Sequence, residues 1–317
     1  MGKEMQGVEG DTGWKKAIPR GRNRLQSRVL VGVVGTLLVW LSVQAVLLGY
    51  PWNGHFQALT GEAAGISLSF AVLVRLLRAG TTGGAICGGL ICFLITFWTG
   101  SFRESALRTG LTPLIFLFVL TFVSTRAGRR KKIRAGVAED KRGRSAAQVL
   151  ANLSVSALSV SPQTANAIER SIPFYSVSGV AVLWVALTVK VMCLAALVEA
   201  TADTVSSEMG QAFGGVPVMM VGMRRVAPGT DGAVTLIGSC AGIVAGGLVA
   251  VAGAWAMRLN AGAVLAALGA GICGLFFDSL LGATVERRGW LGNDLVNFAS
   301  TLFAALLAVV VYRFFVL

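Results

Sequence analysis

The stretch AQVLANLSVSALSV, residues 147–160, decides the fold. It is apolar and helix-competent, but a bilayer span needs about 20 mostly apolar residues, and this segment is shorter and carries Asn152 and several serines. Eight other stretches, near 30–49, 62–79, 82–99, 111–125, 177–199, 234–257, 261–277 and 297–316, read as spans on apolar length. Orientation follows from the basic residues, which favour the cytoplasmic side. Arg20, Arg22, Arg24 and Arg28 place the N-terminus inside, Arg75 and Arg78 mark the next inside loop, and the cluster from Arg129 to Arg144 marks the one after. If residues 147–160 stay on one side, the acidic stretch EATADTVSSEMG (199–210) and the loop containing Arg287 and Arg288 fall outside. If they cross, both join the polybasic loop. The expectation is an all-α polytopic membrane protein of about nine transmembrane helices, with the N-terminus cytoplasmic and the C-terminus outside.

Composition supports the class. Of 317 residues, 55% are hydrophobic and 14% charged, with a mean hydropathy of +0.71, which excludes an ordinary soluble globule. The 40 glycines fit close helix approach in lipid. The net charge of +13 comes largely from the N-terminal tail and from GRRKKIRAGVAEDKRGR (128–144), both beside spans, so it reads as membrane orientation with no nucleic-acid partner. The five cysteines, Cys87, Cys92, Cys193, Cys240 and Cys273, lie in apolar contexts without paired metal-ligand spacing, so neither a disulfide framework nor a zinc site is expected. His55 is the only histidine and sits in the turn-like PWNGHFQ, read as a solvated loop. The first span is expected to remain as an anchor, because no small-residue cleavage pattern follows it. The chain divides into a basic cytoplasmic tail (1–29), N-terminal transmembrane helices (30–125), a polybasic cytoplasmic loop (126–146) and a C-terminal bundle carrying the site (147–317).

The crossing of residues 147–160 brings three polar segments to one compartment: EATADTVSSEMG, then VAPGTDGAVTLIGSCAG (226–242), then FFDSLLGATVERRGWLGNDLVNFAST (276–301). On a continuing helix Glu199 and Asp203 are spaced i, i+4 and share a face, and Gly210 is the expected helix end. Asp231, Asp278 and Asp294 recur at similar membrane-edge positions. Carboxylates at membrane depth are costly unless paired, hydrated or bound to a cation, and such a cluster suits Mg2+, which takes oxygen ligands and bridges to substrate phosphates. The glycine-rich segment supplies backbone N–H groups and hydroxyls that suit an anion, although no Walker A pattern is present. Helix packing explains Gly238 and Gly242 equally well.

The order and spacing of KKIRAGVAEDKRGRSAAQVLANL, ATADTVSSEMG, GTDGAVTLIGSCAG and GATVERRGWLGNDLVNFAST resemble the family first catalogued as domain of unknown function 92, over roughly residues 60–317. That family includes transmembrane protein 19 and the plant plastid phytyl-phosphate kinase. The resemblance implies a polytopic enzyme related to CTP-dependent prenyl-alcohol kinases and, more distantly, to CDP-lipid-forming cytidylyltransferases. One position departs from the alcohol kinases. Where they place lysine before the glycine-serine turn, this chain has Thr230-Asp231-Gly232, which points away from an alcohol acceptor and leaves Arg224, Arg225 or the polybasic loop to neutralise phosphate.

The resemblance thus implies phosphoryl transfer from CTP or another nucleoside triphosphate to a membrane-embedded isoprenyl monophosphate on the cytoplasmic or stromal face. Asp203, Glu208 and Asp294 would be the catalytic, Mg2+-holding acids. Gly229, Thr230, Asp231, Gly232 and Ser239 would meet the nucleotide, and Arg287, Arg288 and Asn297 the lipid phosphate. The alternative from another class is a transporter or flippase for an anionic lipid or small solute, with carboxylates deep in broken helices; no internal repeat favours it.

Overall fold

In a computed structural model, residues 18–49, 54–101, 104–137, 142–171 and 179–316 are described. Seven of the described helices are long and apolar enough to cross a membrane: α1 (Arg20–Gly49), α2 (Gly54–Leu76), α3 (Thr82–Thr99), α8 (Gly179–Phe213), α9 (Leu236–Met257), α10 (Ala261–Leu281) and α11 (Asn293–Val316). Two shorter apolar helices, α4 (Leu111–Arg126) and α6 (Ala146–Ser159), join them. Short α5 (Arg129–Arg134) and α7 (Pro162–Arg170) flank α6, and a two-stranded hairpin of β1 (Val218–Met219) and β2 (Ala233–Val234) precedes α9. His55 falls in the first turn of α2 rather than in a loop.

Contacts sort the connections to two ends of the bundle. At one end Arg22 donates to Gly289 O at 3.0 Å, Gln26 to Trp290 O at 2.8 Å and Arg126 to Leu77 O at 3.0 Å. Lys132 pairs with Glu208 there, and Arg144 reaches Thr204 Oγ1 at 3.3 Å. At the other end Arg108 donates to Trp255 O at 2.7 Å, Arg258 pairs with Glu104 at 2.7 Å, and Gln163 meets Gln44 at 2.7 Å. Arg144 and Gln163 bracket α6, so α6 runs from one end to the other. Its 14 residues rise only about 21 Å. That suffices because α6 is wrapped by α1, α3, α8 and α11, leaving most of its residues buried in protein. A capping box between Ser145 and Gln148 closes one end, and Ser161 caps α7 at the other.

Small residues set the tightest contacts. A Cβ at Gly238 would meet Ser206 O, and one at Gly242 would meet Ala202 O, each at 2.5 Å. These two glycines therefore serve α8–α9 packing. Gly210 does not end α8, as the sequence led us to expect; the helix runs on to Phe213. The reason is packing, since a Cβ at 210 would lie 2.8 Å from Thr235 Oγ1.

The shared end makes a topological prediction. Arg134, Arg224 and Arg288 are all exposed there, so single-cysteine replacements at the three should react with an impermeant maleimide from the same side. Reaction at 224 and 288 from the side opposite to 134 would mean that α6 does not cross.

Candidate functional site

The end that gathers Arg144, the β hairpin and the start of α11 encloses a polar cavity of about 260 Å³. Four structural pieces build its wall. From the second half of α8 come Asp203, Thr204 and Glu208; from the end of α10 and the π-turn after it (Gly282–Glu286) come Asp278, Ser279 and Glu286. The first half of α6 contributes Gln148 and Asn152, with Arg144 just ahead of its cap, and the start of α11 contributes Asn293 and Asn297. The loop 228–235 closes the remaining side.

The loop can lie there because of its glycines. Gly229 and Gly232 have φ of +82° and +73°, the region where L side chains are strained. A Cβ at Gly232 would also collide with the Ala283 backbone, and one at Gly282 would lie 2.7 Å from Gly232 N. Backbone-to-backbone contact therefore fixes residues 231–232 against the end of α10, and Gly229 lies against the Val137 side chain. Thr230 Oγ1 donates to Ala227 O at 2.6 Å, which closes the turn.

Polar side chains around the cavity bond across helix interfaces and, at Asn152, back to the carbonyl of their own helix. Asn297 donates to Asn152 Oδ1 at 3.2 Å, Asn152 donates to Gln148 O at 2.8 Å, and Ser300 donates to Asp278 Oδ1 at 3.1 Å. The carboxylates of Asp203, Asp231, Asp278 and Glu286 share this space, where like charges repel, with the guanidinium of Arg144 as the opposite charge beside them. Below them, one turn along α8, Glu199 is 1% exposed and its Oε2 has no hydrogen-bond partner. It fits beside α10 because residue 274 is glycine, whose absent Cβ would lie 2.6 Å from Glu199 Cγ.

Of the residues singled out from sequence, Asp203, Glu208, Gly229, Thr230, Asp231, Gly232 and Asn297 line this cavity. Ser239, Arg287, Arg288 and Asp294 do not. Asp294 instead accepts from Ser27 Oγ at 2.6 Å and ties α11 to α1. Arg287 contacts Met219 Sδ at 3.6 Å, and Arg288 lies over the Trp290 ring. Glu208 is held by Lys132, whose Nζ also donates to Ser124 O at 3.0 Å and Thr125 O at 2.8 Å. Glu286 and Arg144 complete the site but were not assigned to it from sequence, and Asp278, noted there as a membrane-edge carboxylate but not placed among the ligands, lines it too. Asp278 carried a visible signal, a lone carboxylate in an apolar helix.

Among the described residues no three acidic, cysteine or histidine side chains are placed to hold one metal ion together. Mg2+ does not require that. It keeps water and takes one or two carboxylates plus phosphate oxygens. Asp203 and Asp278, on the packed helices α8 and α10, are a donor set of that kind, so the residues fit an ion brought in with a phosphate ligand.

The fold and cavity define a polytopic helical membrane protein with an acidic, glycine-edged site at one end of its bundle. Residues 65–305 match the family described as integral membrane protein DUF92, and the chain belongs to it. It is 28% identical to an uncharacterized membrane protein of Synechocystis over 83% of this chain and 92% of that one. It is 34% identical to an uncharacterized membrane protein of Methanocaldococcus jannaschii over 38% of this chain, spanning only 50% of that relative. Protein VTE6, chloroplastic, of Arabidopsis thaliana is 25% identical over 74% of this chain and 66% of its own length. No solved structure matches.

Proposed function

We propose that the protein is an integral membrane kinase that transfers a phosphoryl group from CTP, or another nucleoside triphosphate, to an isoprenyl monophosphate. The observation that carries this reading is the cavity itself. It combines a pair of carboxylates on facing helices, a positive-φ glycine loop and Arg144 at one edge of the bundle. The motif resemblance and the similarity to a chloroplastic relative support the same class. The polybasic residues at this end support a cytoplasmic or stromal placement, where nucleotide is available.

Phosphoryl transfer is mostly positioning and charge neutralisation. Asp203 and Asp278 would hold Mg2+, with Asp231 and Glu286 beside them. When bound, Mg2+ supplies neutralisation of the nucleotide's phosphate charge. The backbone at 229–232 lies against the cavity, placed to meet the nucleotide phosphates. An oxygen of the lipid monophosphate attacks the γ-phosphorus; the bond from that phosphorus to the β–γ bridging oxygen breaks, and nucleoside diphosphate leaves. The acceptor is already anionic near neutral pH, as phosphate monoesters are, so no general base is needed. Glu208, already paired with Lys132, acts in holding α8 to α5.

The test is purified protein in detergent with nucleotide, Mg2+ and either an isoprenyl alcohol or its monophosphate. Diphosphate should form only from the monophosphate and only when all three components are present. Movement of lipid or solute in sealed vesicles, with no phosphorylated product, would replace this reading with a transporter.

A further inference from the structure

Two further cavities lie beside the site and share residues. One, of about 460 Å³, is an apolar groove between α2 and α4, with Ile66, Leu73, Ile115 and Val119 along its length. It shares Phe70, Leu77, Phe118 and Phe122 with a second cavity of about 370 Å³. That second cavity has a basic rim of Arg78, Arg126, Arg129 and Arg144. Arg144 also lines the acidic cavity. Apolar groove, basic rim and acidic site are therefore contiguous.

The rim is built rather than incidental. Arg144 N donates to Ala79 O and Thr81 N to Arg144 O, each at 3.0 Å, so residues 79–81 and 144 form a short strap. Arg78 sits at φ +54°, and Gly143 at +79° with no room for a Cβ beside Ala79 O and Arg78 O. A non-glycine left-handed residue held by its surroundings marks a constrained position. Arg126 is fixed twice, donating to Leu77 O at 3.0 Å and stacking on the Phe122 ring at 3.4 Å. Arginine forks of this kind match phosphate oxygens, and basic pockets between membrane helices suit lipid headgroups.

We infer that the lipid acceptor binds here: its isoprenyl tail lies in the α2–α4 groove and its monophosphate sits at Arg78, Arg126, Arg129 and Arg144. The assignment rests on the kinase reading for the identity of the lipid, and moves the acceptor phosphate away from Arg287 and Arg288. Arg144, common to both cavities, becomes the point where acceptor and nucleotide phosphates meet. The four arginines of the rim favour a doubly charged phosphate monoester over the singly charged phosphodiester of a phospholipid, and the adjoining apolar groove takes the tail.

The test measures binding of tritiated geranylgeranyl monophosphate to purified protein in detergent, without nucleotide, so that it does not depend on catalysis. Arg78→Gln and Arg126→Gln should each weaken binding about tenfold, the scale of one lost charge-assisted hydrogen bond. Ser69→Trp, at an exposed position in the groove, should weaken binding of this probe but not of isopentenyl monophosphate, whose tail is too short to reach it. Unchanged melting of each variant separates loss of binding from loss of fold. Binding lost in Arg288→Ala and kept in Arg78→Gln and Arg126→Gln would overturn the assignment, as would equal competition by phosphatidylglycerol. Binding that follows the expected pattern in a protein with no phosphoryl transfer would uphold the lipid site and reject the kinase reading, so the two failures are separable.

Discussion

Asp203→Asn is expected to lower turnover by about 10²–10³-fold, the loss typical of removing one preorganised electrostatic group from a reaction centre, while leaving the protein at least as stable. Both parts follow from the same surroundings. Asp203 shares the cavity with Asp278 and Glu286, and like charges crowded into one water-poor site disfavour one another. Asparagine keeps the shape and removes the repulsion, at the cost of the attraction to Arg144. Stability held against function is the usual sign of a site arranged for a ligand that arrives later. Thermal unfolding and turnover at limiting Mg2+ measure the two sides. Near-normal turnover at limiting Mg2+ would mean that Asp203 is not a ligand, and a large fall in melting temperature would mean that it is structural.

The largest stability effect is expected at Lys132 and Glu208. Lys132 is 1% exposed and Glu208 7%, so the pair is withdrawn from solvent while joining α5 to α8. Removing one partner from a buried pair typically costs about 3–5 kcal/mol, because the other charge stays buried and uncompensated. Glu208→Ala should therefore destabilise strongly, and the ammonium of Lys132 would keep only the carbonyls of Ser124 and Thr125. The double variant Lys132→Met, Glu208→Met should recover much of the loss, since neither charge remains. A double-mutant cycle in detergent checks this. If the two single effects simply add, the pair is not the element that holds α5 in place.

Hydropathy made the long helices legible, because lipid requires long apolar runs whose backbone bonds close internally. The crossing of α6 was legible only indirectly, through the basic loops around it, since its shortness is compensated by neighbours that the local sequence does not reveal. The same limit explains Gly210. As a glycine after an acidic stretch it reads as a helix stop, and only the approach of Thr235 shows it to be a packing position. Asp203 was visible as a carboxylate at a span end. Glu286 was hidden beside Arg287 and Arg288, and Arg144 was lost among a run of basic residues whose positive-inside role explains them all equally. Asp294 looked like a ligand because it stands at a membrane edge in a motif that resembles the family's acidic helix start, a position that an acid also favours through the helix dipole alone; its partner Ser27 lies 267 residues away. Pairings of that separation, like Lys132 with Glu208, leave no local pattern to read.

The most direct measurement follows the phosphorus. Purified protein in detergent with Mg2+ and an isoprenyl monophosphate is supplied with CTP labelled either at the γ- or at the α-phosphate, and the extracted lipid is counted. Transfer of a phosphoryl group predicts a lipid diphosphate that carries the γ label and none of the α label, with unlabelled γ-phosphate giving an unlabelled product. Incorporation of the α label would show cytidylyl transfer instead, and no label in lipid from any nucleoside triphosphate would contradict the assignment of a kinase.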